Sequence, residues 1–258
     1  MKPAAFDLAR PATLAEASAL LASRDGARVL AGGQSLGPML NLRVAAPGLL
    51  VSIARLPELV GAEETADAVT IGAAVTHAAI ADGRTPDIGN FVLSSIAERI
   101  AYRAVRNRGT FGGSVCHADP AADWPCTLTA LGAVMLTWHP DGARAIPAEQ
   151  FITGPFTSAL RPGEILRAVR IPKLSPTARW GYYKACRKPG EFAHAMAAVL
   201  DDPDNGVRRI AIGATGTRPL LLHDPAHAAA ALAGTGLDDI AIHMQAVALR
   251  RALALAAA

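Results

Sequence analysis

Two glycine pairs constrain this chain most: Ala31-Gly-Gly-Gln-Ser35 and Thr110-Phe-Gly-Gly-Ser114, each running out of an apolar segment. With no Cβ in the way, a glycine pair lets the backbone approach a ligand closely, and it permits positive φ. Successive backbone N–H groups in such a turn form a concavity suited to anions. A diphosphate asks for such donors, and a serine or glutamine side chain adds another. Neither loop is the Gly-x-Gly-x-x-Gly of simple dinucleotide folds or the Gly-x4-Gly-Lys-Ser/Thr of nucleoside triphosphatases. Either pair alone could simply make a turn. Two in one chain read as a cradle for a long, phosphate-bearing ligand.

The periodicity around these loops changes along the chain. Thr13 and Glu16 form a capping box that opens a helix. Short apolar runs at 28–31, 49–53 and 69–72 read as strands. Thr76 caps a helix, 88–103 reads as one helix, 106–114 as a loop, and 120–131 as another helix. Beyond that, strands are expected at 134–138, 165–171, 181–187, 195–200 and 207–214. Alanine-rich helices at 224–233 and 237–257 close the chain. Helix–strand units first and antiparallel strands later give an α+β order. The two prolines and the serine between 173 and 177 suggest a seam, hence units at 1–174, split near 56, and 175–258.

Composition narrows the function classes. The chain has 258 residues, 51% hydrophobic and 18% charged, which excludes a largely disordered polypeptide. A net charge of +3, without a basic run, gives no footprint for nucleic acid. Cys116, Cys126 and Cys186 are far apart, so the chain offers no Cys-x-x-Cys cradle for zinc or iron–sulfur clusters. Three cysteines also fit a reducing compartment, and the cytoplasm is expected. No unbroken run of about 20 apolar residues is evident, so no membrane span is expected.

Four runs then occur in order: RVLAGGQSLGPMLNLR, VRNRGTFGGSVCHADPAADWP, GEILRAVRIP and YYKACRKPGEFA. Together they resemble the FAD-binding medium subunit of the molybdenum hydroxylases. That family includes the carbon monoxide dehydrogenase medium subunit, and the central flavin domain of xanthine dehydrogenase is similar to it. The resemblance implies a two-part FAD-binding domain of the vanillyl-alcohol-oxidase (PCMH) type, followed by a small C-terminal domain of antiparallel strands and helices. It implies that Val29, Leu30, Ala31, Gly32, Gly33, Gln34, Ser35 and Leu36 form the first FAD loop, and Thr110, Phe111, Gly112, Gly113 and Ser114 the second. Both loops would hold the pyrophosphate. Asp123 matches an acid that contacts the cofactor, and Ile100 and Leu166 match apolar contacts. Tyr182 matches an aromatic residue that covers the flavin ring, and Lys184 a lysine near it. Phe111 stands where isoleucine is commoner and is expected to add bulk beside the pyrophosphate.

The resemblance further implies non-covalent FAD in an electron-transfer subunit. An iron–sulfur small subunit with two [2Fe–2S] clusters and a large subunit with the molybdopterin cofactor would be its partners, in a dimer of heterotrimers. Electrons would pass from the clusters through FAD to an external acceptor. An autonomous flavin oxidoreductase and a flavin-free scaffold subunit are the rival readings.

Other residues have plainer roles. Asp119 is expected to cap the helix at 120. Arg106 and Arg108 could clamp phosphate or serve surface contacts. His117 and Cys116 are candidates for a covalent flavin tether that the family does not use. His223 and His227 have helical metal-pair spacing, but Pro225 lies between them. Of Tyr182 and Tyr183, strand alternation lets one face a flavin.

Overall fold

The structure is a computed structural model that describes residues 2–258. The first part holds β1 (Asp7–Ala9), α1 (Leu14–Ala22), β2 (Arg28–Leu30), α2 (Leu36–Asn41) and β3 (Leu49–Ser52). Its strands form a parallel sheet of order β1-β3-β2. Thr13 caps α1 by accepting from the Glu16 N–H at 3.1 Å. The first glycine loop leaves the carboxyl end of β2, where ligands sit on parallel sheets, and enters α2. α2 is a six-residue helix that the sequence pattern does not announce.

The second part holds β4 (Ala62–Glu64), β5 (Ala68–Gly72), α3 (His77–Ala81), α4 (Val92–Glu98), α5 (Arg103–Arg106), α6 (Phe111–His117) and α7 (Asp123–Ala130). Then come β6 (Val134–Trp138), β7 (Ala145–Pro147), α8 (Ala148–Phe151), β8 (Ile152–Gly154), β9 (Thr157–Ser158) and β10 (Ile165–Pro172). Five of its strands pair antiparallel in the order β4-β5-β10-β6-β7.

Three local expectations are corrected here. The segment 88–103 is not one helix. Its apolar face ends with Ala97, and the Ala101 N–H donates to Gly190 O at 3.0 Å, so a distant partner interrupts the helical ladder. Phe91 (φ 53) and Ala101 (φ 45), both in the left-handed region, bracket α4. Second, 106–114 is not a plain loop, because α6 begins at Phe111 with Thr110 as its cap. Third, α7 starts at Asp123 rather than 120. Asp119 closes a tight turn instead, accepting from the Ala121 N–H at 2.9 Å.

The last part holds β11 (Arg179–Ala185), β12 (Ala195–Asp202), β13 (Val207–Gly213), β14 (Leu220–Leu222), α9 (Ala228–Ala233) and α10 (Asp239–Ala257). Its strands pair antiparallel in sequence order. β14, three residues long, carried no alternation to read. One face of this sheet meets α7, and the Cys126 thiol donates to Ala211 O at 3.5 Å. The other face carries α10 so closely that a Cβ on Gly181 would lie 2.0 Å from Ala252 O. α10 matches a bilayer span in length and mean hydropathy alone, since Asp239, Arg250 and Arg251 interrupt its apolar run; here it buries Gln245, Ala248, Leu249, Ala252 and Ala256 on the sheet. One core runs from α1 through the five-stranded sheet to the α7 face of the last sheet, and a smaller core lies beneath α9 and α10.

Candidate functional site

The two glycine loops, about 80 residues apart in sequence, touch. A Cβ on Gly32 would lie 2.0 Å from Arg108 O and 2.8 Å from the Gly109 Cα. A Cβ on Gly113 would reach the Ala31 Cβ at 3.6 Å. Of the four paired glycines, Gly33 alone has positive φ, at 72°. The others are glycines because chain segments pass against them. Gly112 is closed in by Ala73, whose Cβ would stand 2.4 Å from an added Cβ.

The loops differ in the donors they leave free. Among the described residues, the backbone N–H groups of Gly32, Gly33, Gln34, Ser35 and Leu36 donate to no acceptor within the chain. Gly32 is buried and Ser35 exposed, so this row of donors runs from the interior to the surface. Buried N–H groups rarely go unpaired, and a run of them marks a place for an anion. The Gln34 side chain folds back, donating to Gly32 O at 3.1 Å. In the second loop the amides are already committed. Phe111 N–H donates to Val75 O (2.8 Å), Gly112 N–H to Ala73 O (2.9 Å), Gly113 N–H to Thr110 Oγ1 (3.1 Å) and Ser114 N–H to Thr110 O (3.0 Å). The expectation that Phe111 adds bulk beside a pyrophosphate is corrected: its ring is fully buried, edge-on to Trp124 at 4.6 Å. Its size fills the core, not the cradle.

Trp124 ties the second loop to its support. Its indole N–H donates to His77 Nδ1 at 3.2 Å, and the His77 N–H donates to Gly109 O at 2.9 Å. The His77 ring stands where a Gly109 side chain would be, with Cδ2 at 2.9 Å from that position. Burial, and then the charge of Arg106, hold the His77 pKa down at about 4. Neither His77 nor Trp124 was singled out for this role by sequence, since nothing in the local pattern announces a contact across 47 positions.

A second cluster forms where α7 meets β11. Tyr182 donates its hydroxyl to Asp123 Oδ1 at 2.7 Å, and the Lys184 ammonium lies 2.8 Å from the same oxygen. Lys184 also donates to Asp123 Oδ2 and to Arg99 O, both at 3.1 Å. The carboxylate and the ammonium are only 6% and 4% exposed, so the pair is close to fully desolvated and each group depends on the other. Burial, and then the Asp123 charge, push the Tyr182 phenol well above its ordinary range. The Arg99 guanidinium stands 5.9 Å from the Tyr182 ring centre. Tyr183 points to the opposite face, where Arg251 lies 4.8 Å from its ring centre against α10. Of the two tyrosines, Tyr182 is therefore the one on the α7 side.

Ile100 adjoins this cluster through backbone: it follows Arg99, whose carbonyl receives Lys184, and forms a bridge to Gly190. Leu166 is buried in β10, and its neighbour Arg167 accepts from the Ala73 N–H at 2.9 Å, directly behind Gly112. Val29 and Leu30 are half-buried in β2 and lead into the cradle. The structure thus gathers one group around the two loops and another around Asp123, joined by α6 and the turn before α7.

Other candidates have different surroundings. The half-buried Cys116 has its thiol pushed up to about 12 by burial, and His117 packs against Phe156 with ring centres 5.2 Å apart. His223 Nδ1 pairs with Arg208 O at 2.9 Å, and no group of three metal-binding side chains occurs among the described residues. A cleft of about 730 Å³ opens elsewhere, lined by Lys173, Ser175, Asp202, Arg208 and His223 among others, and includes none of the loop residues.

Comparison with known proteins agrees with this geometry. Residues 4–174 match the family described as the FAD binding domain in molybdopterin dehydrogenase. The chain is 36% identical over 228 residues to the subunit beta of caffeine dehydrogenase from Pseudomonas sp. (strain CBB1), covering 86% of this chain and 77% of that one. It is 36% identical over 258 residues to the carbon monoxide dehydrogenase medium chain of Afipia carboxidovorans, covering 98% and 88%. A chain of the solved carbon monoxide dehydrogenase from Hydrogenophaga pseudoflava superposes with a TM-score of 0.89 at 32% identity, covering 99% of this chain and 98% of that chain.

Proposed function

Because this chain belongs to the family of FAD-binding domains of molybdopterin dehydrogenases, we propose that its two touching glycine loops hold FAD in the medium subunit of a heteromeric molybdenum hydroxylase. The observation that carries this reading is the row of acceptor-less N–H groups from Gly32 to Leu36, lying against the second loop. These donors suit the diphosphate of a dinucleotide, and the Ser35 hydroxyl on the same loop adds one more. The second loop contributes shape rather than amides, because its own N–H groups are taken. Asp123, Lys184, Tyr182 and Ile100 lie beyond α6, where the rest of an extended cofactor would run.

Bound FAD supplies a carrier that exchanges electrons singly or in pairs. The chain's residues supply position and field. The Asp123–Lys184 pair keeps a nearly neutral, water-poor wall, in which Tyr182 remains protonated and its hydroxyl oriented. In the family reading, electrons arrive from the [2Fe–2S] clusters of a small subunit, after oxidation of the substrate at the molybdopterin cofactor of a large one. They then leave to an external acceptor. The assembly we propose is a dimer of heterotrimers, in the cytoplasm, where the three free cysteines are at home. We also propose that the boundary between FAD-binding and C-terminal domains falls at 174, the division of the first near 56.

Attachment is non-covalent in this proposal, consistent with the raised Cys116 pKa. The experiment is acid precipitation of the purified chain with quantification of flavin. One FAD per chain should appear in the supernatant. Flavin retained in the pellet would contradict the mode of attachment, and a colourless chain that takes up no added FAD would contradict the function.

A further inference from the structure

The turn at Ile100 and Ala101 is held by more than its own sequence requires. Ala101 has φ 45, a left-handed conformation that a residue with a Cβ resists. Its N–H donates to Gly190 O at 3.0 Å, and a Cβ on Gly190 would lie 2.7 Å from Ala101 O, so the two segments are pressed together. Arg106 closes the turn from the other side. Its Nη1 donates to Ile100 O at 3.0 Å and to Ala101 O at 2.8 Å. This half-buried guanidinium forms no ion pair among the described residues, and its buried Nε has no acceptor. An arginine placed with one donor unsatisfied and no carboxylate is poorly used as a source of stability. What it does satisfy are the two carbonyls of a strained turn. Strained backbone of this kind persists where the surroundings over-determine it, and it gathers at functional sites.

Arg106 also connects the two halves of the site. It precedes the second glycine loop by four residues, and Val105 O accepts from the Gly109 N–H at 2.7 Å. Its charge is felt by His77 behind Gly109. At its other end are Ile100, the bridge to Gly190 and Arg99 O, which receives Lys184. We infer that Arg106 is a positioning residue for the cofactor: it clamps the Ile100–Ala101 turn against Gly190 and fixes the non-phosphate end of the binding surface relative to the glycine loops. The ligand part rests on the FAD reading above; the clamp itself does not.

Two measurements separate these layers. In the full chain stripped of flavin, Arg106→Gln should speed hydrogen exchange at the Ala101 N–H by about tenfold or more, while core strands such as β12 keep their protection. Unchanged exchange at Ala101 would overturn the clamp, whether or not FAD binds. Next, FAD is titrated by flavin fluorescence, with ADP as competitor. Arg106→Gln should weaken FAD about tenfold and leave ADP within about twofold, since the loops that take the diphosphate are untouched. Arg106→Lys should restore part of the loss. Ala101→Gly in the Arg106→Gln background should restore most of it, because glycine holds the turn without a clamp. Equal weakening of FAD and ADP, or no rescue by Ala101→Gly, would overturn the positioning role. A wild-type chain that binds no FAD would defeat the FAD reading while leaving the exchange result to judge the clamp.

Discussion

At the scale of single residues, glycines of one motif have different reasons to be glycine. Gly33 needs positive φ, whereas Gly32 needs the absence of a Cβ because Arg108 O occupies that place. Gly33→Ala should therefore cost about 1–2 kcal/mol and weaken FAD without abolishing it. Gly32→Ala should force the loops apart, cost about 3 kcal/mol and abolish FAD binding. Urea denaturation of the two apoproteins, with FAD titration, checks the contrast; equal effects would mean that the loops do not depend on contact. The motif was legible in the sequence, but this division of labour was not, because it depends on what the fold brings alongside. Asp123 is similar. Its match to an acid of the family was readable, yet its bond to Lys184 across 61 positions was not. Asp123→Asn leaves a buried ammonium without its carboxylate and should destabilise by about 3 kcal/mol or more. Lys184→Met added to it should recover part of that loss.

At the scale of elements, period and capping were readable wherever local forces decide. Thr13 and Thr76 cap the helices that follow them, and the apolar runs of β10 and β12 form the strands their residues set, β12 buried on both faces. Reading failed where a distant group overrides the local ladder: 88–103 breaks for Gly190, and α6 starts early because Thr110 caps it while Val75 and Ala73 take its first amides. The Tyr182–Tyr183 alternation could be foreseen, but which face meets α7 could not. The packing of α3, α6 and α7 around His77 carries a pH signature. The folded pKa of about 4 lies below the ordinary 6.5, so between these values the unfolded chain binds the extra proton. Stability from this group is complete above about pH 6.5 and is lost as pH falls toward 4, by about 3 kcal/mol at 1.4 kcal/mol per unit. Wild type should lose more stability than His77→Gln between pH 7 and 4.5, measured by urea midpoints on the apoprotein. Parallel losses would show that His77 does not carry the effect.

At the scale of the whole molecule, the order of helix–strand units followed by antiparallel strands already gave the α+β class, and the resemblance supplied the rest of the architecture. What neither could supply is the joint between the parts. Ile100 with Gly190, Asp123 with Lys184, and Arg209 with Thr129 O and Glu149 are long-range pairs that exist after folding. They hold the α7 side of the site against the last sheet. Such a chain is built to hold a redox cofactor for others, and its electrons should enter through a partner. The decisive measurement is anaerobic reduction of the bound flavin, followed by its absorbance, in the isolated chain and in the complex reconstituted with the iron–sulfur and molybdenum subunits from the same source. The flavin should stay oxidised when the isolated chain meets the substrate of the complex, and bleach when both partners are present. Bleaching by substrate in the isolated chain, at a rate the partners do not change, would show an autonomous oxidoreductase and contradict the account.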